Sequence, residues 1–233
     1  MIKIGGLQKT TLIDFPGHVA STVFLSGCNF RCPFCYSSEL VLPEKIKDHP
    51  QISEEYFFDF LKERVGLLEG VVVCGGEPTI NKDLPEFIKK IKDMGFLVKL
   101  DTNGSNSEML DKLIKEGLLD YVAMDVKAPR DKYAKTVGIE VDLKSIEKSV
   151  SILKHGKVDY EFRTTIVPGI HKKEDILKIV EWISPAKRYF LQNFRGEKTI
   201  DSSFERVKSY PDSFILKIKE EIAPYFEECY FRD

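Results

Sequence analysis

The 233-residue sequence has no surplus of charge: 35 Lys and Arg stand against 37 Asp and Glu, a formal net charge of −2. That balance removes the electrostatic case for wrapping nucleic acid or coating a membrane surface. Long apolar runs are also missing. None approaches the length of a membrane span, and the opening MIKIGGLQKT lacks the apolar stretch of a signal peptide. Without an internal repeat, a low-complexity tract or a Ser/Gly linker, the chain reads as one domain over 1–233. Cysteine is scarce and odd in number, five in all, with three of them inside eight positions. Such a set is no disulfide framework, and the expectation is a cytoplasmic globular protein whose clustered thiols perform chemistry. What is present is apolar material: 42% hydrophobic residues suffice for a sizeable core and exclude disorder.

Short β-branched runs alternate with longer amphipathic segments. Strands are predicted at 19–25, 71–74, 96–100, 121–124, 159–167 and 188–191, with helices near 53–65, 83–94, 107–116, 143–154 and 172–183. Ser53 reads as an N-cap, Pro85 falls in a first turn, and Gly95, Gly117 and Gly156 mark helix stops. Strand–helix alternation in six rounds argues for parallel strands joined by right-handed crossovers. Six units are too few for the closed eight-stranded barrel, so the expected architecture is α/β, an open, incomplete (β/α)6 barrel. Residues 1–18 stand outside the rhythm and predict a short N-terminal hairpin, 2–7 against 10–15, before the barrel core of 19–193. Residues 194–233 read as a packing segment with one helix candidate at 213–226.

Cys28, Cys32 and Cys35 follow the first predicted strand at C-x3-C-x2-C spacing. Thiols so close let one loop wrap a single inorganic centre. A structural zinc site wants a fourth protein ligand, for which His18, His49 and Cys74 are candidates without paired spacing. An electron-transfer [4Fe–4S] cluster wants four thiolates. Three thiolates on such a cluster leave one iron open to substrate.

C-x3-C-x-aromatic-C, with Phe34 as the aromatic residue, resembles the cluster loop of the radical S-adenosylmethionine superfamily. Further matches follow in order: Cys74-Gly75-Gly76-Glu77-Pro78, Asp101-Thr102-Asn103-Gly104, Asp125-Val126-Lys127, the stretch from Phe162 through Arg163 to Gly169, and Gln192-Asn193. Together with the opening Gly6-to-Gly17 segment, the series resembles the glycyl-radical-enzyme activases, such as the activators of pyruvate formate-lyase and of anaerobic ribonucleotide reductase. Independently of the name, each loaded motif falls just after a predicted strand, which in a parallel barrel is one common face and the face where active sites sit.

The resemblance implies that Cys28, Cys32 and Cys35 ligate a [4Fe–4S] cluster and leave an iron for S-adenosylmethionine. It places Phe34 near the adenine, or else as a plug for the loop. Gly75, Gly76 and Glu77 would hold the methionine amino group. Asp101, Thr102 and Asp125 would surround a monovalent cation, with Asn103 also binding the cofactor, unless Asp101 only opens an Asp-Thr-Asn-Gly turn. Lys127 and Arg163 would offer positive charge, or form an ion pair with Asp125 or Glu161. Gln192 and Asn193 would reach the ribose or adenine. Tyr36-Ser37 departs from the His-Asn or Asp that many activators carry after the last cysteine. With no further cysteine group, no auxiliary cluster is expected.

The activity so implied is reductive cleavage of S-adenosylmethionine with flavodoxin or ferredoxin as reductant, and formation of a glycyl radical on a partner, foremost anaerobic ribonucleoside-triphosphate reductase. Two readings compete. One is a small-molecule radical enzyme such as 7-carboxy-7-deazaguanine synthase; the other is a zinc or redox module without catalysis. Neither nucleic acid nor membrane is expected as a partner.

Overall fold

In the computed structural model, which describes residues 2–232, each of the six strands predicted for the barrel core is present. β1 (Ile4–Thr11) precedes β2 (Ala20–Leu25), β3 (Gly70–Gly75), β4 (Leu97–Thr102), β5 (Tyr121–Asp125), β6 (Asp159–Ile166), β7 (Ala186–Asn193) and β8 (Phe226–Arg232). The helices are α1 (Ser38–Val41), α2 (Pro43–Asp48), α3 (Glu54–Lys62), α4 (Leu84–Asp93), α5 (Ser107–Lys115), α6 (Tyr133–Val137), α7 (Leu143–His155), α8 (Lys173–Ile183) and α9 (Asp212–Ile222). In the open sheet the strands follow sequence order, β1 through β8. β1 pairs antiparallel with β2, whereas β2–β3, β3–β4, β6–β7 and β7–β8 are parallel. This is the expected α/β sheet of six βα rounds with two additions.

The first addition corrects the N-terminal hairpin. Residues 4–11 form one strand rather than two arms, and its partner is β2. The turn is therefore the loop after Thr11, whose hydroxyl accepts from the backbone N–H of Ile13 and Asp14. The second addition is β8. The segment assigned to packing holds α9, which ends at Ile222 before Pro224 forces a short 3-10 turn, and then a strand that extends the sheet.

The helices form for reasons visible locally. Ser53 accepts from Tyr56 N–H at the start of α3, and Asn106 accepts from Met109 N–H at the start of α5. α4 buries Leu84, Phe87, Ile88 and Ile91, the i, i+3, i+4, i+7 stripe of an amphipathic helix. Phe57 of α3 stacks on Phe87, with ring centroids 5.4 Å apart.

The chain packs as two compact units. The first comprises Met1–Asn29, Glu39–Thr102 and Asn106–Val122; the second comprises Phe30–Ser38, Asn103–Ser105 and Ala123–Asp233. In the first unit, register places Thr22, Val72 and Lys99 side by side, so Ala20, Cys74 and Asp101 share their face. Phe15 closes one end of that face against Ala20, Val72 and Tyr121, lying so near Gly70 that a Cβ there would sit 2.8 Å from its ring. In the second unit, Arg163, Phe190 and Tyr230 are neighbours, as are Thr165, Gln192 and Arg232.

Among the described residues, no helix is long and apolar enough to cross a membrane.

Candidate functional site

Cys28 lies three residues beyond β2, in the first unit, and is half-buried. The turn after β3 is tied to the residue before it: Glu77 N–H donates to Gly27 C=O at 2.7 Å, and Gly76 N–H to Leu25 C=O at 2.8 Å. A Cβ on Gly76 would stand 2.0 Å from the Gly27 carbonyl oxygen and 3.3 Å from Cys28 Cβ. Only glycine permits this approach, so the Gly-Gly pair serves contact between two loops.

Glu77 points inward. It is fully buried, and its Oε1 accepts from Thr79 N–H at 3.0 Å, from the Thr79 hydroxyl at 2.5 Å and from the Thr102 hydroxyl at 2.7 Å. That oxygen braces the 3-10 turn at Pro78–Ile80 and the end of β4. Asp101 pairs with the ammonium of Lys99, a residue only 1% exposed that the sequence did not single out. The partnership follows from i, i+2 placement on one strand face.

In the second unit, Cys32 is buried and Cys35 half-buried, with Cys35 N–H donating to Cys32 C=O at 3.0 Å. The Phe34 ring is buried between them in sequence. Two distant segments brace this loop. Arg31 N–H donates to Val137 C=O at 2.8 Å, at the end of α6, while Ile200 and Asp201 N–H donate to Cys35 and Pro33 C=O at 2.9 Å each. No sequence signal assigned residues 133–138 or 199–201 to the cysteine loop. Phe30 is buried against the Tyr133 ring, at 6.4 Å between centroids.

Asp125, at the end of β5, accepts from Lys127 Nζ and Arg163 Nε at 2.8 Å each. Burial alone would raise its pKa, but the two cations outweigh it and hold the carboxyl below the ordinary range. Burial likewise opposes the charge on Lys127, and Asp125 together with the Cys32 and Cys35 sulfurs restores it, so its pKa lies above the usual lysine value. The ion pair entertained from sequence is thus present. Asp101 and Asp125 each already hold a protein cation, so neither requires a monovalent ion for charge balance.

Asn103 takes the turn role: its Oδ1 accepts from Ser105 N–H at 2.9 Å. Asn193 donates to Tyr210 C=O at 3.0 Å and accepts from Phe194 N–H, so it braces the chain beyond β7. Gln192 is half-buried on the face that carries Phe190 and Arg232. His171, set aside as structural, is 1% exposed and accepts from Val167 N–H at 3.0 Å while its other ring nitrogen meets Lys127 C=O at 2.8 Å. It fixes the backbone beside Lys127.

In the second unit, the Cys32 and Cys35 thiols beside the Lys127 cation are soft donors suited to an iron–sulfur centre. Among the described residues no three His, Cys, Asp or Glu side chains are gathered as an assembled metal centre, so the ligand assignment rests on spacing and kinship.

Residues 22–183 match the profile of the Radical SAM superfamily. A protein of Methanocaldococcus jannaschii, provisionally named a glycyl-radical enzyme activating enzyme, is 32% identical over 98% of this chain and 95% of its own length. A probable GTP 3′,8-cyclase of Thermococcus kodakarensis is 25% identical over 77% of this chain and 63% of its own. Among solved structures, Streptococcus suis SuiB bound to S-adenosylmethionine superposes with a TM-score of 0.66 at 15% identity, over 89% of this chain and 51% of that one. The chain thus spans about half the length of SuiB, and that likeness concerns the fold. With the profile over most of its length and a relative matched nearly end to end, the chain belongs to the radical SAM superfamily, whose enzymes use a [4Fe–4S] cluster and S-adenosylmethionine.

Proposed function

We propose that this radical SAM enzyme is an activase that generates a glycyl radical on a partner enzyme, with anaerobic ribonucleoside-triphosphate reductase as the partner and flavodoxin or ferredoxin as the electron donor. The observation that carries the reading is the nearly full-length match to a relative named as a glycyl-radical enzyme activating enzyme. Cys28, Cys32 and Cys35 would hold the cluster, and Gly75, Gly76, Arg163 and Lys127 would line the S-adenosylmethionine side. Bound together, cluster and cofactor supply a 5′-deoxyadenosyl radical that abstracts hydrogen. The chain's own residues bind and orient. Lys127, kept charged by Asp125, presents a cation beside the cysteine loop, and Arg163 is aimed by the same carboxylate. Glu77, held by Thr79 and Thr102, keeps the glycine turn against Gly27.

The GTP-cyclase relative motivates a nucleotide substrate as the second reading. A triphosphate needs several uncommitted cations. In the second unit Lys127 and Arg163 are committed to Asp125, and Arg188 to Asp159 and Glu228, which disfavours it.

The test is anaerobic. Protein reconstituted with iron and sulfide, reduced and supplied with S-adenosylmethionine, is expected to release 5′-deoxyadenosine, and Cys32→Ala to release none. Zinc bound in place of iron, with no nucleoside product, would sink the reading.

A further inference from the structure

A pocket that no motif reaches lies where α7 ends and β6, β7 and β8 begin. Its volume is about 390 Å³, and Lys154, Tyr160, Pro185, Tyr225, Phe226 and Glu227, all of the second unit, form most of its wall. That volume falls within the roughly 300–1,000 Å³ of small-molecule sites. Ala186, also in the wall, opens β7, and Gln192 stands near the other end of that strand, about 20 Å away along an extended backbone. The pocket is therefore remote from the strand ends that carry the cofactor motifs.

Polar groups in its wall have bonding capacity left over. Tyr160 is 3% exposed, and its hydroxyl oxygen accepts from Lys187 N–H at 3.3 Å. Among the described residues the hydroxyl's own proton has no acceptor. Burial pushes this phenol above its ordinary pKa, so the proton stays in place. Half-buried Lys154 donates to Ser184 C=O at 2.7 Å and meets no carboxylate among the described residues. Its remaining donors are unspent, and burial without a counter-charge lowers its pKa. Both heads are tied to one short stretch, Ser184 to Lys187, and so converge. Glu227, exposed at the start of β8, forms no ion pair among the described residues. A carboxylate would satisfy the Tyr160 proton and the Lys154 ammonium together, and a cation would answer Glu227. A dianion would be repelled by Glu227, and a plain cation would leave Tyr160 and Lys154 without an acceptor. The zwitterion of an α-amino acid carries both charges on one carbon.

We infer that this pocket binds a free α-amino acid with an apolar side chain. Its carboxylate meets Lys154 and Tyr160, its ammonium meets Glu227, and its side chain lies against Pro185, Tyr225 and Phe226. The inference is independent of the activase reading. The ligand is held apart from the reacting groups, and no bond is made or broken in the pocket.

The test is titration calorimetry of reconstituted holoprotein with S-adenosylmethionine in excess, so that the place for the cofactor's own amino-acid end is already filled. The probes are L-phenylalanine and two analogues that each lack one charge, 3-phenylpropanoate and 2-phenylethylamine. L-Phenylalanine is expected to bind saturably, and each analogue about ten-fold more weakly, equivalent to about 1.4 kcal/mol. Glu227→Gln is expected to weaken L-phenylalanine about ten-fold while leaving 3-phenylpropanoate unchanged, a split that a merely structural role would not produce. Tyr160→Phe is expected to weaken both carboxylates about ten-fold. Should Tyr160→Phe not fold by circular dichroism, the exposed Glu227→Gln carries the comparison. Absence of saturable binding by L-phenylalanine and L-leucine at millimolar concentration overturns the inference. So does 3-phenylpropanoate binding as tightly as L-phenylalanine. Affinity untouched by both substitutions would put the ligand elsewhere and overturn it too.

Discussion

His171 carries a pH dependence into the backbone beside Lys127. Its Nδ1 accepts from Val167 N–H, which leaves Nε2–H to donate to Lys127 C=O, and Tyr210 hydroxyl donates to its own carbonyl. Burial disfavours the imidazolium and outweighs the opposing pull of the Lys127 carbonyl and Asp175, so the pKa falls below the ordinary value of 6.5. A proton on Nδ1 would remove the acceptor that Val167 uses. Folded protein therefore binds fewer protons than unfolded chain between the lowered pKa and about 6.5, and stability is lost as pH falls through that window. The melting temperature of wild type is expected to drop from pH 7.5 to 5.5 more steeply than that of His171→Gln. Parallel curves would show that His171 does not carry the effect. From sequence alone His171 was only a histidine without a ligand partner; its role depends on a loop closing back on β6, which no spacing rule reveals. The cysteines and the Asp-Thr-Asn-Gly turn were legible because local spacing or local hydrogen bonding defines them. The bond from Thr102 to Glu77 was not legible, because it joins two strands and leaves no mark in local spacing.

At the scale of elements, alternation was the reliable signal. The strands predicted at 19–25 through 188–191 correspond to β2 through β7, each an apolar run bounded by turn residues. β8 escaped because Glu227, Glu228 and Arg232 dilute its apolar content and because it follows Pro224. β1 was split at the polar pair Gln8-Lys9, which is exposed along an otherwise continuous strand. α6 is too short for a periodicity to register, yet its end holds the cysteine loop. Gly138 terminates it at φ +74, and a Cβ there would lie 2.4 Å from the Arg31 carbonyl oxygen. Gly117 terminates α5 at φ +68 with open space around it. Alanine at either position costs about 1–2 kcal/mol for the left-handed backbone. Gly138→Ala adds a clash with backbone, so denaturant titration should find it the more destabilised, and its iron content after reconstitution should fall. Equal losses at the two positions would mean that the loop yields without resistance.

For the whole molecule, near-neutrality is the governing quantity. With a formal charge of −2 and a sequence pI of about 6.2, little net repulsion keeps copies apart at mildly acidic pH. Precipitation by polyethylene glycol between pH 5 and 8 should show minimum solubility near the pI. A steady rise of solubility across that range would point to a charged patch that the overall balance conceals. The same balance gave no reason to expect a nucleic-acid partner, and it carries no information about a substrate.

The clasp on the cysteine loop orders events in time. Ribosomes deliver Pro33 and Cys35 well before Ile200 and Asp201, whose N–H groups hold their carbonyls. A nascent chain can expose its thiols long before it can brace them. Assembly of the metal centre in a braced loop therefore waits for a chain extended past residue 201, and a ribosome stalled before residue 200 leaves a thiol-bearing loop without its clasp.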